Sequence, residues 1–352
     1  MDLNSIQWRE FDLNEIFPNI QRGKRLKKDD HIIGAKPYIS STALNNGVDG
    51  FIDNTEKVRI FNTCLTIANS GSVGATFFQP FSFVASDHVT KLENSKFNKY
   101  VYLFISSISK RLSEKYSFNR EINDKRIQRE KIILPTNLKG EPDYAFMEVF
   151  ARQIEKKKII SFRRYIASRI EEVKDFKVVE SVDKKNWKEF KIVDLFDFEK
   201  GDQNNMANIK KGFIPLVSAK KGENGYKDFA AQANKKLYSK NSLTLNNDGD
   251  GGAGISFYQP IDYLLDSHVT ALFPKNKLSR HVLLFISRCI TNQRDKFGHG
   301  YSLTNSRLKA LLIMLPTNKK GEPDYEYMEN YIKKLEYDRL IKYNMIKAIQ
   351  EI

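Results

Sequence analysis

Two copies of one pattern, offset by about 180 residues, fill this chain of 352 residues. Trp8 to Phe17 (WREFDLNEIF) returns as Trp187 to Phe196 (WKEFKIVDLF), and each copy is followed by a glycine, Gly23 or Gly201. Pro37 to Ser40 (PYIS) returns as Pro215 to Ser218 (PLVS). Leu65 to Asn69 leads through Gly71 and Gly74 to Phe77-Phe-Gln-Pro80, and Leu243 to Asn247 leads through Gly251 and Gly254 to Phe257-Tyr-Gln-Pro260. His88-Val-Thr90 matches His268-Val-Thr270, and Leu103 to Ser106 matches Leu284 to Ser287. The clearest pair is Leu134 to Asn137 with Gly140 to Tyr144 (GEPDY), against Leu315 to Asn318 with Gly321 to Tyr325 (GEPDY). A unit this long exceeds any solenoid repeat of about 20–50 residues, so each copy is a domain with an appended element.

Inside each copy, short runs rich in β-branched and aromatic residues, such as Cys64 to Ile67 and Phe81 to Val84, are bounded by Gly, Asn and Pro and read as strands and turns. A helical stretch from Lys99 to Lys115 interrupts them, so the expected class is α+β with two homologous mixed α/β lobes. After each Gly-Glu-Pro-Asp-Tyr the character changes. Residues 143–179 and 324–352 lack Gly and Pro and are rich in Glu, Lys, Arg and Ile, which predicts long helices. Pro142 and Pro323 suit a helix start, and the Asp that follows each favours the positive end of the helix dipole. Met147, Phe150, Ile154, Ile166, Ile170 and Val173 form an irregular apolar stripe, as do Met328, Ile332, Leu335, Met345, Ile349 and Ile352. Two readings follow: the helices pack against each other as a spacer between lobes, or each covers its own lobe. The expected boundaries are 1–142 and 182–322 for the lobes, 143–181 for a central helix and 323–352 for a C-terminal one.

Lys and Arg total 58 against 43 Asp and Glu, a formal charge of +15 that favours an anionic partner, nucleic acid first. Basic charge alone also suits a merely solvated surface. Cys64 and Cys289 are the only cysteines, which excludes a disulfide framework and a paired-cysteine zinc site and fits a reducing, cytoplasmic location. No signal-peptide pattern and no long apolar run is found, so no membrane role is expected.

The duplicated Trp-x-x-Phe opening (Trp8 and Phe11; Trp187 and Phe190), the Asn-Gly turns, the repeated Leu-Pro and the helix after it together resemble the specificity subunits of Type I restriction-modification enzymes. They also resemble the related recognition subunits of Type IIB systems, to which Gly-Glu-Pro-Asp-Tyr followed by Met147-Glu148 and Met328-Glu329 looks closer. The resemblance covers nearly the whole chain. It implies two target-recognition domains related by a pseudo-twofold and separated by two long antiparallel helices that also dock methyltransferase subunits. The implied function is non-catalytic: reading a bipartite, asymmetric site on double-stranded DNA and directing an adenine methyltransferase. An endonuclease subunit, or a fused endonuclease-methyltransferase, would complete the set of partners. No cofactor is expected in this chain, with S-adenosylmethionine in the partner.

Bases are told apart chiefly by Arg, Lys, Asn and Gln, so polar loops hold the candidates. In the first lobe these are Arg22, Lys24, Arg25, Ser41, Asn69, Asn119, Arg120 and Arg126; in the second, Gln203, Asn204, Lys220, Lys221, Asn247, Tyr301, Asn305 and Arg307. The Gly-rich stretch from Asn247 to Gly254 lacks a Gly-Lys-Ser/Thr ending and reads as a tight turn, like Asn69 to Gly74. His88 and His268 have no metal-ligand spacing around them and are expected to be buried and hydrogen-bonded. Pro142-Asp143 with Glu155-Lys-Lys157 formally fits a nuclease pattern, yet the second copy lacks the Glu-x-Lys part, and no Pro-Pro pair exists to build an amino-methyltransferase motif. Rival readings are a self-contained DNA-modifying nuclease, which requires a carboxylate or nucleophile cluster, and a protein-binding adaptor, which does not require Arg and Asn in divergent loops.

Overall fold

The structure is a computed structural model that describes residues 3–117, 119–204, 209–248, 252–297 and 302–350. It forms two compact units, residues 1–163 and 164–352.

In the first unit, strand β1 (Trp8–Asp12) and the single-turn helix α1 (Leu13–Ile16) lead into β2 (Asn19–Arg22), β3 (Ile33–Ile39), β4 (Val48–Ile52), β5 (Ile60–Phe61) and β6 (Cys64–Ala68). Then come β7 (Thr76–Gln79), β8 (Phe83–Ala85), β9 (Val89–Glu93), α2 (Lys99–Ser109), α3 (Leu112–Lys115), α4 (Asp124–Ile127), β10 (Lys131–Pro135) and the long α5 (Tyr144–Val173). One sheet has the order β2-β9-β6-β7 and a second β4-β3-β8-β5, while β1 pairs with β10 alone. The β6 strand is buried along its whole length, which explains why Cys64 to Ala68 does not alternate apolar with exposed polar residues, its one hydroxyl, Thr66, donating to Phe77 O.

The second unit repeats this plan. Its elements are β11 (Trp187–Lys191), α6 (Ile192–Leu195), β12 (Phe196–Lys200), β13 (Lys211–Val217), β14 (Tyr226–Ala230), β15 (Ser242–Asn246), β16 (Ser256–Gln259), β17 (Leu264–Leu265) and β18 (Val269–Pro274). Helix α7 (Arg280–Thr291), α8 (Asn305–Ala310), β19 (Leu312–Pro316) and α9 (Tyr325–Gln350) complete it. The sheets are β12-β18-β15-β16 and β14-β13-β17, and β11 pairs with β19. The register repeats as well: Trp8 opposes Pro135 and Trp187 opposes Pro316, both in antiparallel pairs. Tyr38 and Ile39 lie parallel to Val84 and Ala85 just as Leu216 and Val217 lie parallel to Leu264 and Leu265.

The repeated motifs are structural. Trp8 stacks on Phe104 and Trp187 on Phe285, with ring centroids 6.4 and 6.1 Å apart. Phe104 meets Phe146 and Phe150 edge-on, and Phe285 meets Tyr327 and Tyr331 in the same way. Opening strand, middle helix and long helix are thereby pinned in each unit by aromatic contacts worth about 0.5–1.5 kcal/mol apiece beyond area burial. In the Gly-Glu-Pro-Asp-Tyr segment, Gly140 and Gly321 take φ of 78°, which only glycine adopts without strain. The carboxylates of Asp143 and Asp324 then accept from the N–H of Phe146 and Tyr327 and cap α5 and α9.

Each long helix first covers its own core, with Met147 and Met328 fully buried among the residues of the first and second cores. Beyond residue 163, α5 belongs to the second unit, where it runs antiparallel to α9. Arg169 binds Glu336, the Phe176 and Tyr337 rings lie 5.6 Å apart, and the Lys177 N–H donates to Asn330 Oδ1 at 2.8 Å. Covering its own core and packing against the other long helix thus fall on different stretches of α5.

Candidate nucleic-acid interface

In the first unit the loops after β2, β3, β6 and β8, and the segment before α4, are tied together by backbone hydrogen bonds. Gly23 N–H donates to Val89 O at 2.8 Å, Ser72 N–H to Ser41 O at 3.0 Å, Asn69 N–H to His88 O at 2.8 Å and Ile122 N–H to Asn69 O at 3.0 Å. The second unit builds the same cluster. Gly201 N–H donates to Val269 O at 2.9 Å, Asn247 N–H to His268 O at 2.9 Å and Leu303 N–H to Asn247 O at 2.7 Å. Glycine is required where the first loop passes the turn that links the two sheets: a Cβ on Gly23 would sit 2.1 Å from Ser86 O, and one on Gly201 2.0 Å from Asp266 O. Loops that diverge in sequence thus sit on a repeated backbone frame, an arrangement suited to presenting variable polar groups from a rigid scaffold.

Several candidates turn out to belong to the frame rather than to its exposed surface. Asn69 and Asn247 are buried, and their side-chain carbonyls accept from Thr90 and Thr270 at 3.0 and 2.9 Å. This corrects their assignment as DNA contacts: they lock the loop after the central strand onto its neighbour. Arg126 and Arg307, also matched, each brace the loop five residues upstream, donating to Glu121 O at 2.5 Å and Ser302 O at 2.7 Å. Arg22 is half-buried and donates to Asp87 O at 2.5 Å, with Asp124 3.8 Å away. Ser41 is half-buried at the point where its carbonyl holds Ser72. Gln203 is bonded through its backbone to Leu265 and Ser267. Lys220 is half-buried and its ammonium group bonds Glu223 and, at 3.2 Å, Tyr226 O.

The exposed candidates are Lys24, Arg25, Asn119, Arg120 and Arg126 in the first unit, the last although it also braces its loop, and Asn204, Lys221 and Asn305 in the second. Arg120 lies over the Tyr116 ring at 5.6 Å. Tyr301 lies outside the described residues, as does the middle of the Gly-rich stretch. The described residues on either side of it are joined, Gly254 N–H donating to Asn246 O at 2.9 Å, as Gly74 N–H does to Ala68 O.

His88 and His268 were expected to be buried, and the structure corrects this. Their side chains are 53% and 61% exposed, at the centre of the loop clusters. His88 Nδ1 lies 2.6 Å from Ser70 Oγ, and His268 Nδ1 lies 2.9 and 3.0 Å from the two oxygens of Asp248. The Asp248 hydrogen bond holds the His268 pKa above the ordinary histidine value. The sequence signal for exposure is that both histidines end a strand-to-strand turn whose partner loop is polar.

The nuclease-like pattern dissolves in the same way. Asp143 caps α5, and Glu155 accepts from Lys99 and Tyr100 at 3.0 and 2.9 Å, with its carboxyl pKa lowered chiefly by the Lys99 bond. Among the described residues no group of three or more His, Cys, Asp and Glu could hold a metal, and no helix is long and apolar enough to cross a membrane.

The model of the type I restriction modification DNA specificity domain matches twice, at residues 5–162 and 184–345, one match for each copy of the repeat. The chain belongs to this specificity family. Along 342 residues it is 28% identical to the "Type II restriction enzyme BgcI specificity subunit S.BcgI" of Heyndrickxia coagulans, covering 95% of this chain and 96% of that protein. Its fold is similar to the crystal structure of a Type-I restriction-modification system S subunit from M. genitalium, with a TM-score of 0.54 and 15% identity over 99% of this chain and 94% of that one. As a specificity subunit the chain recognises DNA sequence and is not itself catalytic. It works as the specificity part of a restriction-modification system.

Proposed function

We propose that the loop cluster of each unit reads one half of a bipartite, asymmetric duplex site, and that the assembled cytoplasmic complex methylates adenine there. The observation that carries this reading is one hydrogen-bonded loop frame built twice, with different exposed side chains on each copy. Asn119 and Arg120 stand out from the first frame, and Lys221 and Asn305 from the second. Matching frames with different side chains suit two different half-sites, in the way that dimer geometry sets half-site spacing in simpler readers. S-adenosylmethionine binds in the methyltransferase partner, which flips the target adenine into its own pocket. That partner is a separate methyltransferase or one fused to an endonuclease. The helical segments of the chain serve as spacer and docking surface for it.

The test is to map N6-methyladenine in cells expressing the methyltransferase with and without this chain. A split asymmetric motif that vanishes without the chain supports the reading, and exchanging residues 41–44 and 117–123 for those of a relative should then change only one half of the motif. Methylation that is indifferent to the chain overturns it.

A further inference from the structure

The two histidines at the centres of the loop clusters differ in what holds them. In the first unit the turn is Ser86-Asp87-His88, with the Ser70 hydroxyl on Nδ1 and Asp87 3.9 Å from Nε2. In the second it is Asp266-Ser267-His268, and a carboxylate, Asp248, takes Nδ1 with both oxygens. The backbone geometry is preserved: Ser86 Oγ accepts from the His88 N–H at 3.2 Å, and Asp266 Oδ1 accepts from the His268 N–H at 3.0 Å.

We infer that His268, oriented by Asp248, is a cationic phosphate contact of the second unit, so that this unit grips DNA in its protonated form. The inference rests on the DNA-reading role proposed above. With Nδ1–H engaged by Asp248, the other ring nitrogen donates outward only when the ring carries a second proton, as a phosphate oxygen requires. The groove in which His268 sits is also lined by Lys227, a further cation for an anionic backbone to follow, and by Lys220, whose ammonium group is held by Glu223. Asp248 and Asp266 favour the ring's cation and Lys200 opposes it, with the Asp248 hydrogen bond the largest influence. Asp248 would by itself repel a phosphate, and pairing it with a protonated histidine removes that repulsion. A raised histidine pKa means that the contact is present at low pH and lost as pH rises through that value.

The experiment uses the complete complex of this chain with its partner subunits and fluorescent duplex DNA carrying the mapped motif, either intact or with one half scrambled. Affinity is measured from pH 6 to pH 8.5, a range that brackets the ordinary histidine pKa of about 6.5 and its upward shift. Binding should weaken by roughly tenfold across that range, as expected for one lost charged contact, and the salt dependence should flatten by about one phosphate. The pH dependence should survive His88→Gln and scrambling of the first half-site, and disappear in His268→Gln. Asp248→Asn should move the midpoint to lower pH, and His268→Lys should bind tightly at every pH. Sequence-dependent binding whose pH profile is flat, or is unaffected by His268→Gln, overturns the inference while leaving the DNA-reading role intact. Absence of any sequence preference at every pH overturns both.

Discussion

Glu155 and Glu336 occupy the same position of the repeat, one on each long helix, and face corresponding residues of the middle helix, yet their environments differ. Glu155 meets Lys99 and Tyr100 near the surface, with its side chain 36% exposed and that of Lys99 48% exposed. At the matched positions Glu336 meets Arg280, at 2.9 Å, and His281, and it also receives Arg169, whose side chain is only 8% exposed. One repeat position is thus a solvated ion pair in the first unit and the centre of an ionic cluster in the second. Removing one partner of a buried pair strands the others, which costs about 3–5 kcal/mol, whereas an exposed pair contributes about 0–1 kcal/mol. Arg169 keeps Glu172 as a partner and Glu336 is itself 23% exposed, so Glu336→Ala should destabilise the second unit by about 1–3 kcal/mol in denaturant unfolding, and Glu155→Ala the first by less than about 1 kcal/mol. Equal losses would break the comparison.

The same cluster predicts an acid sensitivity confined to the second unit. His281 is buried, and burial, reinforced by Arg280, pushes its pKa down to about 4. Its pKa is therefore lower folded than unfolded, where it is about 6.5, so its contribution is complete above pH 6.5 and is lost as pH falls towards 4. Burial raises the carboxyl pKa of Glu336, but Arg169 and Arg280 outweigh it and leave the group below its ordinary value, so its protonation adds to the loss at still lower pH. The second unit should lose on the order of 2 kcal/mol between pH 6.5 and 4, whereas the first, with Tyr100 at the matched position, should hold. Replacement His281→Tyr should abolish the difference, and parallel acid melting of both units, followed by hydrogen exchange, would refute it.

The repeat carried most of the fold into view. Strand register, the αL glycines and the caps Asp143 and Asp324 are local devices, and local devices leave motifs. The candidate site was less legible because a one-dimensional match does not separate a residue that builds a frame from one that uses it. Asn69 and Asn247 looked like base readers and are instead hydrogen-bonded to Thr90 and Thr270 across a strand pair. His88 and His268 looked like core residues and are exposed. Both errors arise from partners distant in sequence, which periodicity does not reveal. The ionic cluster was equally hidden, since Arg169, Arg280 and Glu336 come from three separate helices.

That division between frame and reader can be sharpened with matched substitutions. Asn69→Ala and Asn247→Ala each leave a threonine hydroxyl without its acceptor, so each should cost about 2 kcal/mol of stability in its own unit. The methylated motif of the surviving folded complex should not change, and a new motif would return these residues to the reading surface.

The smallest effects are expected from the exposed loops, and they carry the most information about function. Arg120 sits against the Tyr116 ring on a turn closed by backbone bonds between Ser117 and Arg120, so its guanidinium projects from a fixed base. A fixed, planar donor suits bidentate contact with a guanine edge better than a mobile one does. Lys221 stands on an exposed loop, and its flexible ammonium group suits a phosphate. Arg120→Ala should therefore relax preference at one position of the first half-site by about 1 kcal/mol and leave the second half-site unchanged. Lys221→Ala should weaken binding to all sequences by a similar or smaller amount and lower the salt slope by about one. Competition binding with single-base variants at two salt concentrations separates the two behaviours. If Arg120→Ala produced the uniform, salt-dependent loss instead, the turn that holds it would be a backbone clamp, and base reading in the first unit would pass to Asn119 beside it.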